Sequence, residues 1–183
     1  LQNGNIFRQN LITNNSEYIT KYSETSDEKN DFQIFVYWDK IFIIKNKKDL
    51  FFMDPETKIL QSLIISNSEI KHTEFFDKII FYNNNNTWLF LIKEYQSPFF
   101  AKANSLIPLS EYEKINGISW LGGEYFSILN ENKPIISEVD NRDKINSFLA
   151  YSNSCSQLWF SQQEKKLYLV SNKILFISLL LSC

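Results

Sequence analysis

The chain has 183 residues, of which 44% are hydrophobic and 16% aromatic, and it carries a formal net charge of −2 with a pI near 5.5. This length and apolar content exclude a mostly disordered chain and supply material for a packed core. The near-balanced charge argues against nucleic acid as the main partner, because phosphate binding needs a clustered excess of Lys and Arg.

Residue usage is strongly biased: the chain has 16 Phe and 9 Tyr but only 4 Gly and 4 Pro. The abundant residues have A/T-rich codons, which favours an A/T-rich genome and weakens inferences from composition. On that ground the run Asn83 to Asn86 is interpreted as turn filler, not as a prion-like tract. The small basic cluster of Lys45, Lys47 and Lys48 is likewise interpreted as a solvated turn.

Residues 1–30 are polar and rich in Asn, Ser and Glu, and residues 23–30 form the clearest linker signal in the chain. We expect an N-terminal arm that lies over a neighbouring protein, with at most one short helix around residues 17–22. Residues 31–183 are expected to form a β-repeat domain.

The first unit of that domain spans about residues 32–66 and reads as a β-meander. Its β-branched and aromatic runs suit a pleated, half-buried surface. A turn at residues 54–58 has Asp54 first and Pro55 second, which fits a type I turn. The predicted strands are residues 32–38, 40–44, 50–53 and 59–65.

The second unit, residues 69–93, repeats part of the first. The segment from Asp39 to Met53 matches the segment from Asp77 to Leu91, and both read as an apolar strand, a polar turn and a second apolar strand. The less regular residues 96–116 follow, and we expect an inserted loop or a short helix there.

The third and fourth units span residues 117–139 and 157–181, and between them Asp140 is a candidate N-cap for a short helix within residues 140–151. The four hairpins start near residues 39, 77, 123 and 157. Hairpins that recur about every 40 residues are typical of a propeller-like array, which protects sheet edges by radial repetition.

Residues 40–60 resemble a blade of the quinoprotein-type or WD40-type β-propellers. Leu50 to Asp54, with Thr57 and Lys58, match part of the strand-and-turn pattern of such blades, and Trp38-Asp39 resembles the dipeptide that ends a strand in WD40 blades. The resemblance implies an all-β fold of antiparallel meanders, a propeller or partial propeller of about four blade-like units, and assigns no functional residue. Another β-barrel or sandwich, or an α+β fold, is the alternative.

No residue pattern indicates catalysis or a cofactor. The single histidine, His72, lies in a predicted strand and reads as a solvated or edge-strand residue. Cys155 and Cys183 lack metal-ligand spacing, and two free thiols are favoured over a disulfide, which favours an intracellular protein. Cys155 is expected to be a buried inert thiol or an incidental loop residue.

Two carboxylate pairs, Asp54 with Glu56 and Asp140 with Asp143, lack the twelve-residue loop of a calcium site and are interpreted as turn caps. The Gly122-Gly123 pair is interpreted as a bulge or tight bend rather than a phosphate loop.

One tryptophan falls in each unit, and we expect these residues to fill the spaces between sheets. Stacking on a sugar or a base is the functional alternative. The four are Trp38, Trp88, Trp120 and Trp159.

We therefore predict a non-enzymatic protein-interaction scaffold, a subunit of a larger assembly whose partners are other protein subunits. A ligand-binding β domain for a sugar or a nucleotide base, or a non-catalytic part of a larger enzyme, is the alternative. The chain begins at Leu1 instead of Met, which favours a fragment or a processed form. The apolar run Ile174 to Leu181 is too short to span a bilayer, so the chain is not expected to be membrane-spanning.

Overall fold

The computed structural model describes residues 5–9, 12–21, 31–54, 57–97, 99–140, 142 and 146–179. Within these ranges the only regular elements are strands, and every pair of neighbouring strands is antiparallel. The prediction of an all-β protein built from antiparallel meanders is therefore confirmed.

The strands form one two-stranded sheet, three four-stranded sheets and one three-stranded sheet. In chain order the strands are β1 (Asn5–Gln9), β2 (Ser16–Lys21), β3 (Phe32–Tyr37), β4 (Lys40–Lys45), β5 (Asp49–Met53), β6 (Leu60–Ile65), β7 (Lys71–Phe75), β8 (Lys78–Tyr82), β9 (Asn86–Leu91), β10 (Leu106–Glu111), β11 (Ile115–Trp120), β12 (Tyr125–Asn130), β13 (Lys133–Glu138), β14 (Ser147–Leu149), β15 (Gln157–Ser161), β16 (Lys166–Ser171) and β17 (Ile174–Leu179).

The chain divides into two compact units, Leu1–Ile70 and Lys71–Cys183. In the first unit, β1 and β2 form a hairpin in which the rings of Phe7 and Tyr18 meet edge to face at 5.8 Å. The short helix expected around residues 17–22 is therefore wrong, and the last of those residues lies outside the described ranges. Pairing with β1 gives Ser16–Lys21 backbone hydrogen bonds in place of those of a helix.

The first unit also contains the meander β3-β4-β5-β6 predicted from residues 32–66. Phe42, Ile43 and Ile44 are consecutive and all buried, so β4 is covered on both faces. The ring of Phe42 stacks on that of Phe35 at 4.9 Å and lies tilted against that of Phe52 at 5.5 Å. The Trp38-Asp39 dipeptide does not end a strand but forms the turn between β3 and β4.

The second unit contains three meanders in chain order: β7-β8-β9-β10, β11-β12-β13-β14 and β15-β16-β17. Their first strands adjoin one another, because β11 contacts both β7 and β15. The sheet β11–β14 therefore lies between the other two sheets of this unit.

Two stretches of the second unit correct part of the expectations from sequence, although the described residues of 96–105 contain no named strand and agree with the expected loop. Residues 96–116 contain strand β10 and the start of β11, and the described residues of 140–151 contain strand β14; neither stretch has a helix in its described part. The outer backbone groups of β9 and β13 need hydrogen-bond partners, which β10 and β14 provide. Tertiary pairing thus overrides the local loop signals of Pro108 and Asp140.

The core of the second unit consists of two apolar layers between its sheets. One layer joins Ile80 and Leu89 to Phe126 and Ile128, with Trp120 at its edge. Trp120 stacks on Phe75 of β7 at 5.6 Å, and its indole N–H donates to the Thr73 carbonyl at 3.2 Å.

The second layer lies between the sheets β11–β14 and β15–β17. It joins Leu129 and Ile136 to Leu167 and Leu169. Backbone and side-chain hydrogen bonds fasten the same two sheets, since Ser119 Oγ accepts the Phe160 N–H at 3.2 Å.

One kind of backbone hydrogen bond recurs at three of the hairpin turns. In each case the donor is the backbone N–H of a buried residue at, or shortly before, the first strand of a sheet. The acceptor is a backbone carbonyl in the turn of the preceding hairpin. The three bonds are Ile70 N to Lys47 O at 2.6 Å, Ile115 N to Asn84 O at 2.6 Å and Cys155 N to Asn132 O at 2.7 Å.

The asparagine turn between β8 and β9 has a structural role beyond filling space. The side-chain oxygen of Asn83 accepts the backbone N–H groups of Asn85 and Asn86 at 2.9 and 2.8 Å, which forms an Asx turn. The Asn85 side-chain amide then donates to the carbonyls of Tyr112 and Glu113, before β11 begins.

Candidate interaction surface

Among the described residues, the three-stranded sheet has one buried face and one more exposed face, unlike the sheet beside it. In β12, the four consecutive residues Phe126 to Leu129 are all buried, so both faces of that strand are covered. In β16, burial alternates: Leu167 and Leu169 are buried, whereas Tyr168 and Val170 between them are only half-buried. Because successive side chains of a strand point to opposite faces, the Tyr168 side of this sheet faces solvent.

We name this surface the open face, and apolar side chains dominate it. Its register pairs Trp159 with Tyr168 and Ile177 across the three strands. Trp159 is 41% exposed and Ile177 is 54% exposed. The apolar members of the open face are Trp159, Tyr168, Val170, Leu175 and Ile177.

Two aromatic rings fix the centre of the open face. Trp159 and Tyr168 stack in parallel, with centroids 5.2 Å apart and an interplanar angle of 6°. The Tyr168 hydroxyl donates a hydrogen bond to a Glu164 carboxylate oxygen. This hydrogen bond raises the pKa of Tyr168 above its usual value, because the neutral phenol is the donor. The result is a stacked, uncharged aromatic pair with a carboxylate at its rim.

His72 lies on β7, the edge strand of its sheet, as predicted. Its Nε2 is 3.5 Å from Glu74 Oε1, and its ring packs 6.1 Å from the ring of Phe81. Burial lowers the pKa of His72, and the Glu74 carboxylate opposes that shift. His72 therefore favours the neutral form.

Cys155 is a free thiol that is 1% exposed, which agrees with the expectation of a buried, inert residue. Burial raises the pKa of Cys155, so the reactive thiolate is disfavoured. Cys183 lies outside the described residues, and its pairing stays a prediction.

The described carboxylates of the two candidate pairs cap turns. Asp54 Oδ1 accepts the Thr57 N–H at 3.3 Å, while Glu56 lies outside the described ranges. Asp140 accepts both the backbone N–H of Arg142, at 3.1 Å, and its guanidinium, at 2.6 Å. These hydrogen bonds lower the pKa of Asp140. Its predicted companion Asp143 is also outside the described ranges.

The glycine pair and two lysines of the basic cluster also lie in turns. The N–H groups of Leu121 and Gly122 both donate to the Tyr125 carbonyl, which makes the tight bend expected at Gly122-Gly123. Lys47 and Lys48 are exposed in the β4–β5 turn, where Lys47 Nζ lies 3.8 Å from a Glu69 carboxylate oxygen.

The tryptophans divide into two classes. Trp120 is 4% exposed and belongs to the core, and Trp88 is half-buried. Trp38 and Trp159 are 55% and 41% exposed, so the expectation that each tryptophan fills a space between sheets is wrong for these two. Trp159 and Tyr168 are directly opposite on neighbouring strands, a relation that sequence analysis missed because it depends on strand register.

Sequence analysis also missed a partly buried polar cluster in the second unit. The Lys78 ammonium lies 4.4 Å above the ring of Tyr95, and the Tyr95 hydroxyl donates to Glu124 Oε1. Burial is the main cause that raises the pKa of Tyr95, followed by its bond to Glu124. This cluster ties the segment after β9 to the loop before β12. No sequence signal could have found it, since its members are far apart in the chain.

Among the described residues, no three His, Cys, Asp or Glu side chains come together in a way that could hold a metal ion. The same part of the chain contains no helix long and apolar enough to cross a membrane. No protein-family model matches the chain, and no curated protein matches it significantly.

Proposed function

We propose that this protein is a non-catalytic interaction scaffold, and that its open face docks a β-sheet face of another protein. The main support for the proposal is that β16 is buried on one face only, whereas β12 in the neighbouring sheet is buried on both faces. An exposed apolar surface of this kind is typical of an interaction site.

The adjacent sheets indicate which kind of partner suits this surface. The corresponding face of the sheet β11–β14 carries Leu129 and Ile136, and it is covered by Leu167 and Leu169 of the next sheet. A second sheet is therefore the element that covers such a face in this protein. Trp159 and Tyr168 supply the large, rigid apolar area on which binding energy concentrates.

The finer architecture that we propose is a propeller or partial propeller of about four blade-like units. The recurrent bond from a buried N–H to a hairpin-turn carbonyl supports this, because a rotational repeat places equivalent atoms in equivalent contacts. The adjoining first strands β7, β11 and β15 support it within the second unit.

The docking proposal predicts that a charge on the open face abolishes partner binding. We expect Trp159→Glu to lose the proteins that co-purify specifically with the tagged wild-type chain, because it places a carboxylate in a desolvated apolar contact. The matched control is Trp38→Glu, which changes another exposed tryptophan outside the open face. The measurement is quantitative mass spectrometry of the co-purified proteins, with thermal melting to verify folding. Retention of every specific partner by Trp159→Glu would contradict the proposal.

The exposed Trp159–Tyr168 pair also favours a second candidate, stacking on a sugar or a nucleotide base. Titration of the tryptophan fluorescence with oligosaccharides and nucleotides separates the two functions. A saturable change that Trp159→Phe weakens supports ligand binding, whereas no change supports the docking role.

A further inference from the structure

We propose that the partner of the open face carries carboxylates around its apolar contact, because lysines flank the open face at both ends. The inference rests on the docking role proposed above and adds the charge of the partner to it. The sheet β15–β17 differs in charge from the chain that contains it. Residues 157–179 contain three lysines and one glutamate, a net charge of +2, whereas the whole chain has a net charge of −2.

The lysines lie at the two ends of the apolar strip that the open face forms. Lys165 ends the turn between β15 and β16, Lys166 begins β16, and Lys173 lies in the turn between β16 and β17. Lys166 belongs to the open face itself, because it is two residues from Tyr168 and successive side chains of a strand alternate between faces. Strand β16, of 6 residues, separates the two ends by roughly 20 Å.

The charges of these lysines are not neutralised by neighbouring carboxylates. None of the three forms an ion pair with an Asp or Glu within the described part of the chain. Lys165 and Lys173 are exposed, and Lys166 is half-buried. The carboxylate of the same turn, Glu164, already accepts the Tyr168 hydroxyl. The positive charges at the rim are therefore available to a partner.

A second copy of this chain does not suit the rim. In a two-fold symmetric dimer the same surface of both copies comes together. Lysines would then face lysines at both ends of the contact, whichever way the copies are aligned, and like charges directly opposite each other are destabilising. The occupant is therefore a different protein, with acidic residues where the rim has lysines.

The charge of the whole chain disfavours a nucleic acid or an anionic membrane as the occupant. Such polyanions bind surfaces that carry a clustered excess of Lys and Arg, and this chain has a net charge of −2. Charges at the rim of a protein interface act over about 8 Å at physiological ionic strength, so they depend on the local charge of the sheet. Complementary rim charges steer association and select partners.

Charge reversal at the two exposed lysines tests the inference. The probe is the purified protein that co-purifies with the wild-type chain and is lost in Trp159→Glu. We expect Lys165→Glu combined with Lys173→Glu to weaken its binding about tenfold, mainly by slowing association. Binding to the wild type should weaken with added NaCl, and binding to the double variant should not, because the attraction has been removed. Surface plasmon resonance measures both effects.

The matched control combines Lys47→Glu with Lys58→Glu and should leave binding unchanged. All four lysines are exposed, lie in connections between strands and have positive φ. The φ values are 55° (Lys165), 65° (Lys173), 61° (Lys47) and 58° (Lys58). The two double variants therefore have the same net charge and similar backbone strain. Thermal melting verifies that each variant folds.

The outcomes separate this inference from the docking role. Unchanged affinity and salt dependence in the Lys165 and Lys173 double variant, with the partner still lost in Trp159→Glu, would overturn the acidic rim and leave the docking role standing. Retention of every partner by Trp159→Glu would overturn both proposals.

A last arm tests the polyanions directly, with single-stranded oligouridine and phosphatidylserine vesicles as probes. We expect neither to bind the wild-type chain at physiological salt. Saturable binding of either probe that the Lys165 and Lys173 double variant loses would assign the rim to a polyanion and overturn the inference.

Discussion

At the scale of single residues, the informative side chains are those whose surroundings change their chemistry. His72 is the single histidine of the chain, and it lies half-buried between Glu74 and the ring of Phe81. Its environment has one dominant effect: partial burial disfavours the imidazolium, despite the adjacent carboxylate. The folded protein therefore binds this proton less readily than the unfolded chain does.

This difference predicts a loss of stability on acidification. Between the lowered pKa of folded His72 and its ordinary value of 6.5, the unfolded state binds more protons, so the free energy of unfolding rises with pH. The His72 contribution is complete above pH 6.5 and is lost as the pH falls through the folded pKa. Denaturant melts between pH 5 and 8 should show this slope in the wild type and a smaller slope in His72→Gln. Equal slopes in both proteins would contradict the assignment.

At the scale of elements, first strands hold neighbouring sheets together. Strand β11 ends in Trp120, which stacks on Phe75 of β7 and donates a hydrogen bond to the Thr73 carbonyl. On its other side, Ser119 accepts the Phe160 N–H of β15. Strand β11 therefore contacts both neighbouring sheets. Substitutions in β11 are expected to weaken the packing between sheets more than the hydrogen bonding between strands.

Truncating Trp120 should be among the most destabilising single changes. We expect Trp120→Ala to lower the free energy of unfolding by about 3–5 kcal/mol, because it leaves a large cavity between two sheets. Trp120→Phe should cost about 1 kcal/mol beyond its packing change, since the Thr73 carbonyl loses its donor.

The control for these variants is Trp38→Ala, at an exposed turn position, which should change the free energy of unfolding by about 0.5 kcal/mol or less. The measurement is urea unfolding followed by circular dichroism. A smaller loss for Trp120→Ala than for Trp38→Ala would refute the assigned role of β11.

At the scale of the molecule, coverage of sheet faces determines local stability. In the second unit, the sheet β11–β14 has a neighbour on each face, whereas the sheet β15–β17 has one apolar layer, shared with β11–β14. Strands β12 and β16 are otherwise comparable, because each is central and pairs with a strand on both sides.

Hydrogen exchange should therefore distinguish these two strands. We expect the amides of β12 to exchange more slowly than those of β16, because opening a sheet buried on both faces exposes more apolar area. Mass spectrometry of exchanged peptides at low protein concentration provides the measurement. Slower exchange in β16 would show that its open face is covered in the isolated chain.

Much of this fold follows from the apolar periodicity of the strands. The hairpins at residues 39–53 and 77–91 were predictable because their apolar runs flank polar turns, and β4, β5, β8 and β9 form there. Strands β10 and β14 were not predictable, because Pro108 and Asp140 give loop signals locally. Those strands form because β9 and β13 present outward backbone groups that only a neighbour in space satisfies.

The residues of the open face show the same contrast between features that the local sequence predicts and features that depend on tertiary structure. The local pattern of side chains is sufficient to predict an all-β chain with repeated hairpins, an aromatic-rich interior and turn-capping carboxylates. The burial of Trp120 and the exposure of Trp159 follow from the tertiary structure alone. Those facts depend on strand register and on which sheet covers which face, and neither is determined by residues close in sequence.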